Sequence, residues 1–297
     1  DDSDKEGRGG DIKMKSAVFG MSEKGKNHRM KGIIYVVMTI ITIFMLFPFY
    51  WMLVTAVKPV NEIFAFPPKL WPSEFHWENF REVLELRDFG TYFKNSAIVT
   101  LIATVITVCI NLLAGYAFAK YQFKGKEFLF LIVLSTLMIP LQVIMIPNFI
   151  IISKLGMINT YQGLILPPCA EAFGLFLSRQ FLSTLPDALI ESARIDGASE
   201  FHIFRSIILP NSGSLLSVLI IFTFMWRWND FQWPLIILSD SGMYTVQLGL
   251  SMLNGSNYVN WNQLMSASLL SILPVIIIFF IFQKQFVQGI ATTGIKG

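Results

Sequence analysis

At 297 residues, 54% of them hydrophobic and only 14% charged, the chain has a mean hydropathy of +0.56 and is too oily to read as one or two soluble domains. Its net charge of +3 carries no nucleic-acid signature. Its two cysteines, Cys109 and Cys169, both lie in apolar runs and argue against a disulfide framework or a CxxC metal site.

Apolar runs of about 20 residues cross a hydrocarbon core of about 30 Å. Lipid makes each of them helical, because a backbone without water must satisfy its own hydrogen bonds. The fold class expected is therefore all-α, a polytopic integral membrane protein with six transmembrane helices.

In chain order, residues 1–31 form a polar, basic tail without apolar periodicity. The chain opens on Asp1, and residues 1–13 are set aside from the fold argument. Residues 20–27 resemble a phosphate-binding loop but carry Asn27 where Ser or Thr would hold Mg²⁺, and no buried strand precedes them. Asp1, Asp2 and Asp4 read as a solvated acidic run. The apolar run from Ile33 is about twice the length of a signal-peptide core, so a cleavable signal is not expected.

Span one covers 33–54, with Pro48 as a kink and Phe49-Tyr50-Trp51 as an interfacial belt. Residues 58–94 read as a soluble loop rich in aromatics. Span two, 96–119, carries Asn111 and the small pair Ala114-Gly115, which permits close helix contact. A basic turn follows at 120–127. Span three, 128–152, is broken by Pro140 and Pro147 with Gln142 between them. Span four, 163–182, holds Glu171 near its middle, a costly position that directs the carboxylate into the bundle. Span five, 215–235, ends in Trp226-Arg227-Trp228-Asn229-Asp230. Residues 238–261 read as a loop without Lys or Arg, and span six covers 264–282 with Pro274 inside it.

Six spans place both ends on one side. That side carries sixteen Lys/Arg, in 1–31, 120–127, 179–205 and the C-terminal end, against five in 58–94, one at Lys154 and none in 238–261. Positive charge accumulates on the cytoplasmic side, so both termini and residues 184–210 are expected to be cytoplasmic.

Residues 184–210 are too polar to cross a bilayer and too regular for a linker. Thr184 reads as a helix cap, with Pro186 and Asp187 in the first turn. Gly197 suits the left-handed turn that ends this helix, and Ser199 caps a second one carrying Phe201, Phe204, Ile207 and Ile208 until Pro210 stops it. The balanced charge of the hairpin favours a protein partner over lipid.

Glu191-Ser192-Ala193, three residues, Gly197, nine residues, then Ile207-Ile208-Leu209-Pro210 resembles the EAA loop of ABC importer permeases, with Ser192 where Ala is usual. The segments 176–181, 228–231, 286–290 and 294–297 resemble the carbohydrate, maltose-type branch of that family. The resemblance covers about 30–297. It implies a transmembrane permease subunit of an ATP-binding-cassette sugar importer, not itself an enzyme and multi-pass in a bacterial or archaeal inner membrane.

It also implies the partners: a second homologous permease, two ATPase subunits holding ATP and Mg²⁺, and an extracytoplasmic sugar-binding protein. No cofactor or metal is expected on this chain, and no nucleic acid. The coupling helix is implied to use Glu191, Ser192, Ala193, Asp196, Gly197, Ile207, Leu209 and Pro210. The organisation expected is a cytoplasmic tail 1–31, a first helix and outer loop 32–92, a permease core 93–285 with coupling loop 183–212, and a tail 286–297.

Asn111, Gln142, Glu171, Asn229 and Asp230 are the polar candidates for the solute pathway, with Trp228 as a stacking surface. Their competing role is to hold helices together, and Glu171 and Arg227 are able to pair. A secondary transporter or channel for a polar solute is the alternative, and it leaves the hairpin without a task. An intramembrane hydrolase lacks its histidine, since none of His28, His76 and His202 lies in a span.

Overall fold

The computed structural model describes residues 4–86, 88–254 and 259–293, with side chains described for 30–85, 88–254 and 259–284. The basic tail and the C-terminal tail therefore lie mostly outside the described side chains. Every regular element among the described residues is helical. In order these are α1 Asp4–Val57, α2 Glu78–Leu86, α3 Phe89–Lys120, α4 Lys126–Ser135, α5 Leu141–Lys154, α6 Tyr161–Ile165 and α7 Ala172–Ser183. They continue with α8 Asp187–Ile195, α9 Glu200–Asn211, α10 Gly213–Trp228, α11 Gln232–Ile237, α12 Val246–Asn254 and α13 Trp261–Thr293.

Three stretches are long and apolar enough to cross a membrane unbroken: Met30–Val57, Phe89–Lys120 and Trp261–Lys284. The others are interrupted. Lys126–Met138 and Leu141–Lys154 meet at 104°, and Glu200–Asn211 and Gly213–Trp228 at 80°. Six uninterrupted spans are thus not what the chain forms.

Span four departs most from expectation. It is split into α6 and α7 by Pro167-Pro168, and Glu171 sits at the start of α7 rather than inside a continuous helix. Proline has no N–H to return to the preceding turn. The carbonyl of Gly163 that Pro167 leaves free accepts the indole N–H of Trp233 at 2.9 Å, and that of Pro168 accepts from Arg227 Nη2 at 2.6 Å. The indole from α11 thus replaces the backbone bond that Pro167 removes, and the guanidinium from α10 satisfies a carbonyl at the break itself.

α3 is the hub, packing along α7 and α10 and touching α2, α6 and α12. Burying apolar surface gains little when the alternative is lipid, so close approach and polar contacts decide. At Gly115 an added Cβ would stand 2.2 Å from Ser178 Cβ, and at Gly174 it would stand 2.0 Å from Asn111 Nδ2. Gly115 is therefore fixed by the close approach of the α7 backbone, and Gly174 by the Asn111 side chain packed against it.

Residues 238–261 are more than a loop. Their α12 packs with Val246 and Leu248 buried, and Val246 N donates to Ser96 Oγ at 2.8 Å. Asn95 Nδ2 donates to the carbonyls of Gly242 and Tyr244 at 2.9 and 3.0 Å.

α1 behaves differently. Residues 30–50 are exposed along every face, and only the final turn, Val54–Val57, is buried against the body.

Candidate functional site: the hairpin and the layer of breaks

The hairpin forms where the sequence puts it, with altered ends. Thr184 does not cap α8. Its hydroxyl donates back to Phe181 O at 2.7 Å and closes α7, while Pro186, with its fixed extended φ, takes the N-cap position. Gly197 turns the chain at φ +78°. Ser199 caps α9, its Oγ accepting His202 N at 3.3 Å.

Pro210 does not end the second helix. Residues Phe204–Ile208 widen to a π-helical turn, and the helix passes through Pro210 to Asn211. The wider turn accommodates a residue that cannot donate to the carbonyl four positions back. The chain then bends at Ser212, whose Oγ donates to Ile208 O at 2.6 Å.

The hairpin has two faces. Ile190, Ile203 and Ile208 are buried against Val108, Leu112 and Tyr116 of α3 and Leu215 and Leu219 of α10. Glu191, Ser192, Asp196, Gly197, Leu209 and Pro210 are exposed, while Ala193 and Ile207 are half-buried. Ala193, Asp196, Gly197 and His202 line a concavity of about 600 Å³. Ile195 and Phe201 project outward at 85% and 73% exposure. Phe201 thus belongs to the open face and not to the packed one expected from its spacing. Glu191 makes no ion pair within the chain among the described residues.

A polar brace ties the buried face to the end of α3. Arg194 Nε and Nη2 donate to the two Glu200 oxygens at 2.7 and 3.2 Å, across the Gly197 turn. Tyr116 OH donates to Glu200 Oε2 at 3.3 Å, and Tyr121 OH donates to the same oxygen. The Arg194 guanidinium first, then the Tyr121 hydroxyl, holds the Glu200 carboxyl down at about 2.

Lys120 Nζ donates to Leu185 O and Asp187 Oδ1, both at 2.6 Å, which lowers the Asp187 carboxyl below its usual range. Arg179 Nη2 meets Glu127 at 2.6 Å and stacks 3.9 Å from the Phe130 ring centroid. The sequence reading missed Glu200, Lys120, Tyr116 and Tyr121. The one local signal was an Arg and a Glu six residues apart across a glycine turn.

The pathway candidates separate into two groups. Asn111 is 1% exposed and wedged into the α3–α7 seam. Trp228 is 3% exposed, stacked on Phe224 at 5.8 Å, and its Nε1 donates to Ser271 O at 2.8 Å. The ring face expected to receive a solute is therefore covered. Glu171 accepts from Arg227 Nη2, the pairing the sequence allowed.

Gln142 and Asn229 are exposed. Gln142 Nε2 donates to Gln232 Oε1 at 3.4 Å, and Asn229 Oδ1 accepts from Gln247 Nε2 at 3.2 Å. Asp230 Oδ1 accepts Trp233 N at 3.3 Å and starts α11.

These groups share a layer. Gln142 opens α5 after the 104° bend, Glu171 opens α7 after the Pro167-Pro168 break, and Asn229–Phe231 separates α10 from α11. The Gln142–Gln232 and Glu171–Arg227 contacts join the three breaks side by side.

A helical membrane body, interrupted across one layer and carrying a rigid two-faced hairpin, defines a polytopic membrane transport component. The chain belongs to the family of binding-protein-dependent transport system inner membrane components, whose family model matches residues 111–292. It is 36% identical over 274 residues to the sn-glycerol-3-phosphate transport system permease protein UgpE of Pectobacterium atrosepticum, covering 89% of this chain and 98% of that one. It is 37% identical over 257 residues to the arabinooligosaccharides transport system permease protein AraQ of Bacillus subtilis, covering 85% and 91%.

Its fold matches a chain in the crystal structure of a bacterial ABC transporter involved in import of the acidic polysaccharide alginate. The TM-score is 0.79 at 22% identity, over 87% of this chain and 97% of that one. The chain is thus a multi-pass permease subunit of an ABC import system and not itself catalytic. Nucleotide use in such systems belongs to a separate ATPase.

Proposed function

We propose that the chain forms half of the translocation pathway of a sugar importer and couples to its ATPase through α8 and α9. The observation that carries this reading is the two-faced hairpin. One face is tied to α3 by the Glu200–Tyr116 and Asp187–Lys120 bonds, while the other presents Glu191, Asp196, Ile195 and Phe201 without a covering element. A surface so held transmits a push from a docked subunit to the spans as rigid-body motion.

Within that reading Glu191, Ser192, Ala193, Asp196 and Gly197 are the docking and turn residues. Ile207, Leu209 and Pro210 set the angle at which the hairpin joins α10. A second permease covers one side of the bare stretch of α1. Both termini lie in the cytoplasm, as the Lys/Arg bias of the loops indicates, and a solute-binding protein docks on the opposite side.

The relatives' names carry arabinooligosaccharides and sn-glycerol-3-phosphate, both polyhydroxylated. A carbohydrate solute fits the uncharged, exposed pair Gln142 and Asn229 beside Asp230, with Asn111, Glu171 and Trp228 holding the surrounding helices.

The test is reconstitution of the chain with its partner permease, ATPase pair and binding protein in vesicles. Uptake of an arabinooligosaccharide is expected only with ATP inside and binding protein outside. Uptake by the isolated subunit in ATP-free vesicles would sink the proposal.

A further inference from the structure

The loop between α1 and α2 does not rise away from the membrane. His76 N donates to Val57 O at 2.9 Å, and Asn79 Nδ2 to Ala56 O at 2.7 Å, so residues 76–79 stand level with the end of α1. Before that the chain dips. Lys58 Nζ reaches the carbonyl of Lys69 and lies 4.6 Å from the Trp51 ring centroid. Tyr50 OH donates to the carbonyl of Leu70. Tyr50 is two turns before Val57, about 10 Å back along the helix at 1.5 Å per residue. The tip of the loop thus hangs beside α1, below its end.

The depth of that tip follows from the length of the span. Met30–Val57 is 28 residues long. About 20 residues cross the hydrocarbon core, so a crossing that starts at Ile33 leaves the core near Tyr50 and Trp51. Those rings mark the interfacial belt, and Leu70 is hydrogen-bonded to one of them.

The tip is also dressed for that depth. Phe66 is 95% exposed, Leu70 60% and Trp71 63%. Trp71 packs edge-on against Phe75 at 5.6 Å, and Phe75 stacks on Trp77 at 6.0 Å. The one charge between Ile63 and Ser73, Lys69, pairs with Glu62.

We propose that residues 64–77 are an interfacial anchor that inserts Phe66, Leu70 and Trp71 among the lipid headgroups and upper acyl chains beside α1. The occupant is lipid and not a soluble protein, because the tip lies at the depth of the Tyr50–Trp51 belt, below the end of α1. A protein settling onto this face of the membrane meets the top of the loop instead. The inference rests on the depth of the tip and holds for whatever solute the transporter carries.

The experiment uses the assembled transporter in phosphatidylcholine vesicles, with exposed Cys109 replaced by Ala. A bimane label is placed at Leu70→Cys, at Trp71→Cys as a second site, and at Val60→Cys, whose residue is 56% exposed near the top of the loop. Labels at 70 and 71 are expected to be quenched several-fold more strongly by lipids bearing a nitroxide near the headgroup than by aqueous iodide. The label at 60 is expected to show the reverse. Iodide quenching at 70 and 71 equal to that at 60 overturns the proposal, as does a label that neither quencher reaches, which means that protein covers the tip.

Discussion

Gly197 offers the sharpest test of the hairpin. Its φ of +78° lies in the left-handed region, yet a Cβ built there meets nothing within 4 Å. The cost of a side chain is therefore conformational and not steric. Forcing an L-residue into that region costs roughly 1–2 kcal/mol, more for a β-branched one, while Asn tolerates it. A penalty of that size changes the ratio of turned to unturned hairpin by about 5- to 30-fold.

Gly197→Ala is expected to weaken coupling, Gly197→Val to weaken it most, and Gly197→Asn to retain most of it. The assay is solute-stimulated ATP hydrolysis alongside uptake in the reconstituted complex, with membrane insertion checked separately. Normal coupling in Gly197→Val would refute the assignment of the hairpin as the transmission element. If Gly197→Asn fails as badly as Gly197→Val, the open space at the glycine is occupied by the ATPase, and the strain argument is wrong.

Two further outcomes follow from the ion pairs. Glu171→Gln strands the Arg227 charge inside the bundle, and breaking one side of a buried pair costs about 3–5 kcal/mol. The variant is expected to lower the yield and melting temperature of the assembled complex while leaving solute preference unchanged. Altered preference with full assembly would place Glu171 in the pathway instead.

Glu200, lowered from 4.5 to about 2 by Arg194 and then Tyr121, contributes stability that is present above pH 4.5 and lost as pH falls through about 2. The pair is half exposed, so each contact contributes no more than about 1 kcal/mol. Amide protection of α8 and α9, corrected for intrinsic exchange, is expected to stay level from neutral pH down to 4.5 and to fall below it. Glu200→Gln is expected to start lower and lose that acid step. An identical acid step in the variant would assign it to another carboxylate.

The hairpin was legible because its chemistry is local. A glycine with positive φ and a serine bonded three residues ahead leave their mark on adjacent letters. Its starting cap was misread because Thr184 had two carbonyl and amide neighbours to choose from and bonded backward to Phe181.

Span four was misread for a different reason. Hydropathy averages over Pro167-Pro168, and the sequence does not reveal that Trp233 and Arg227, about 60 to 70 residues later, repair the break. The brace was invisible for the same reason, since Tyr116 and Tyr121 reach Glu200 from about 80 residues away. Asn111 and Trp228 looked like pathway groups because a polar or aromatic residue in a span reads alike whether it faces a cavity or a neighbouring glycine. In the fold Asn111 is buried beside Gly174, and the Trp228 indole donates to the Ser271 carbonyl, neighbours that no reading of a single span supplies.

The layer that joins Gln142, Glu171 and Asn229 has a mechanical consequence. A continuous helix resists bending because each turn is stitched to the next. In this layer the stitches are already absent, removed at Pro140, at Pro167-Pro168 and between Asn229 and Phe231. On one side Asn159 cinches two segments, its Oδ1 accepting from Ser239 N at 2.7 Å and Asp240 N at 3.2 Å. On the other, the Glu200 brace stiffens the hairpin against α3. Three elements are thus jointed at one level while α3 passes through it unbroken, tied by Asn95 to the segment of Gly242 and Tyr244 and by Tyr116 to the hairpin, so the jointed elements are free to hinge against a stiff central strut.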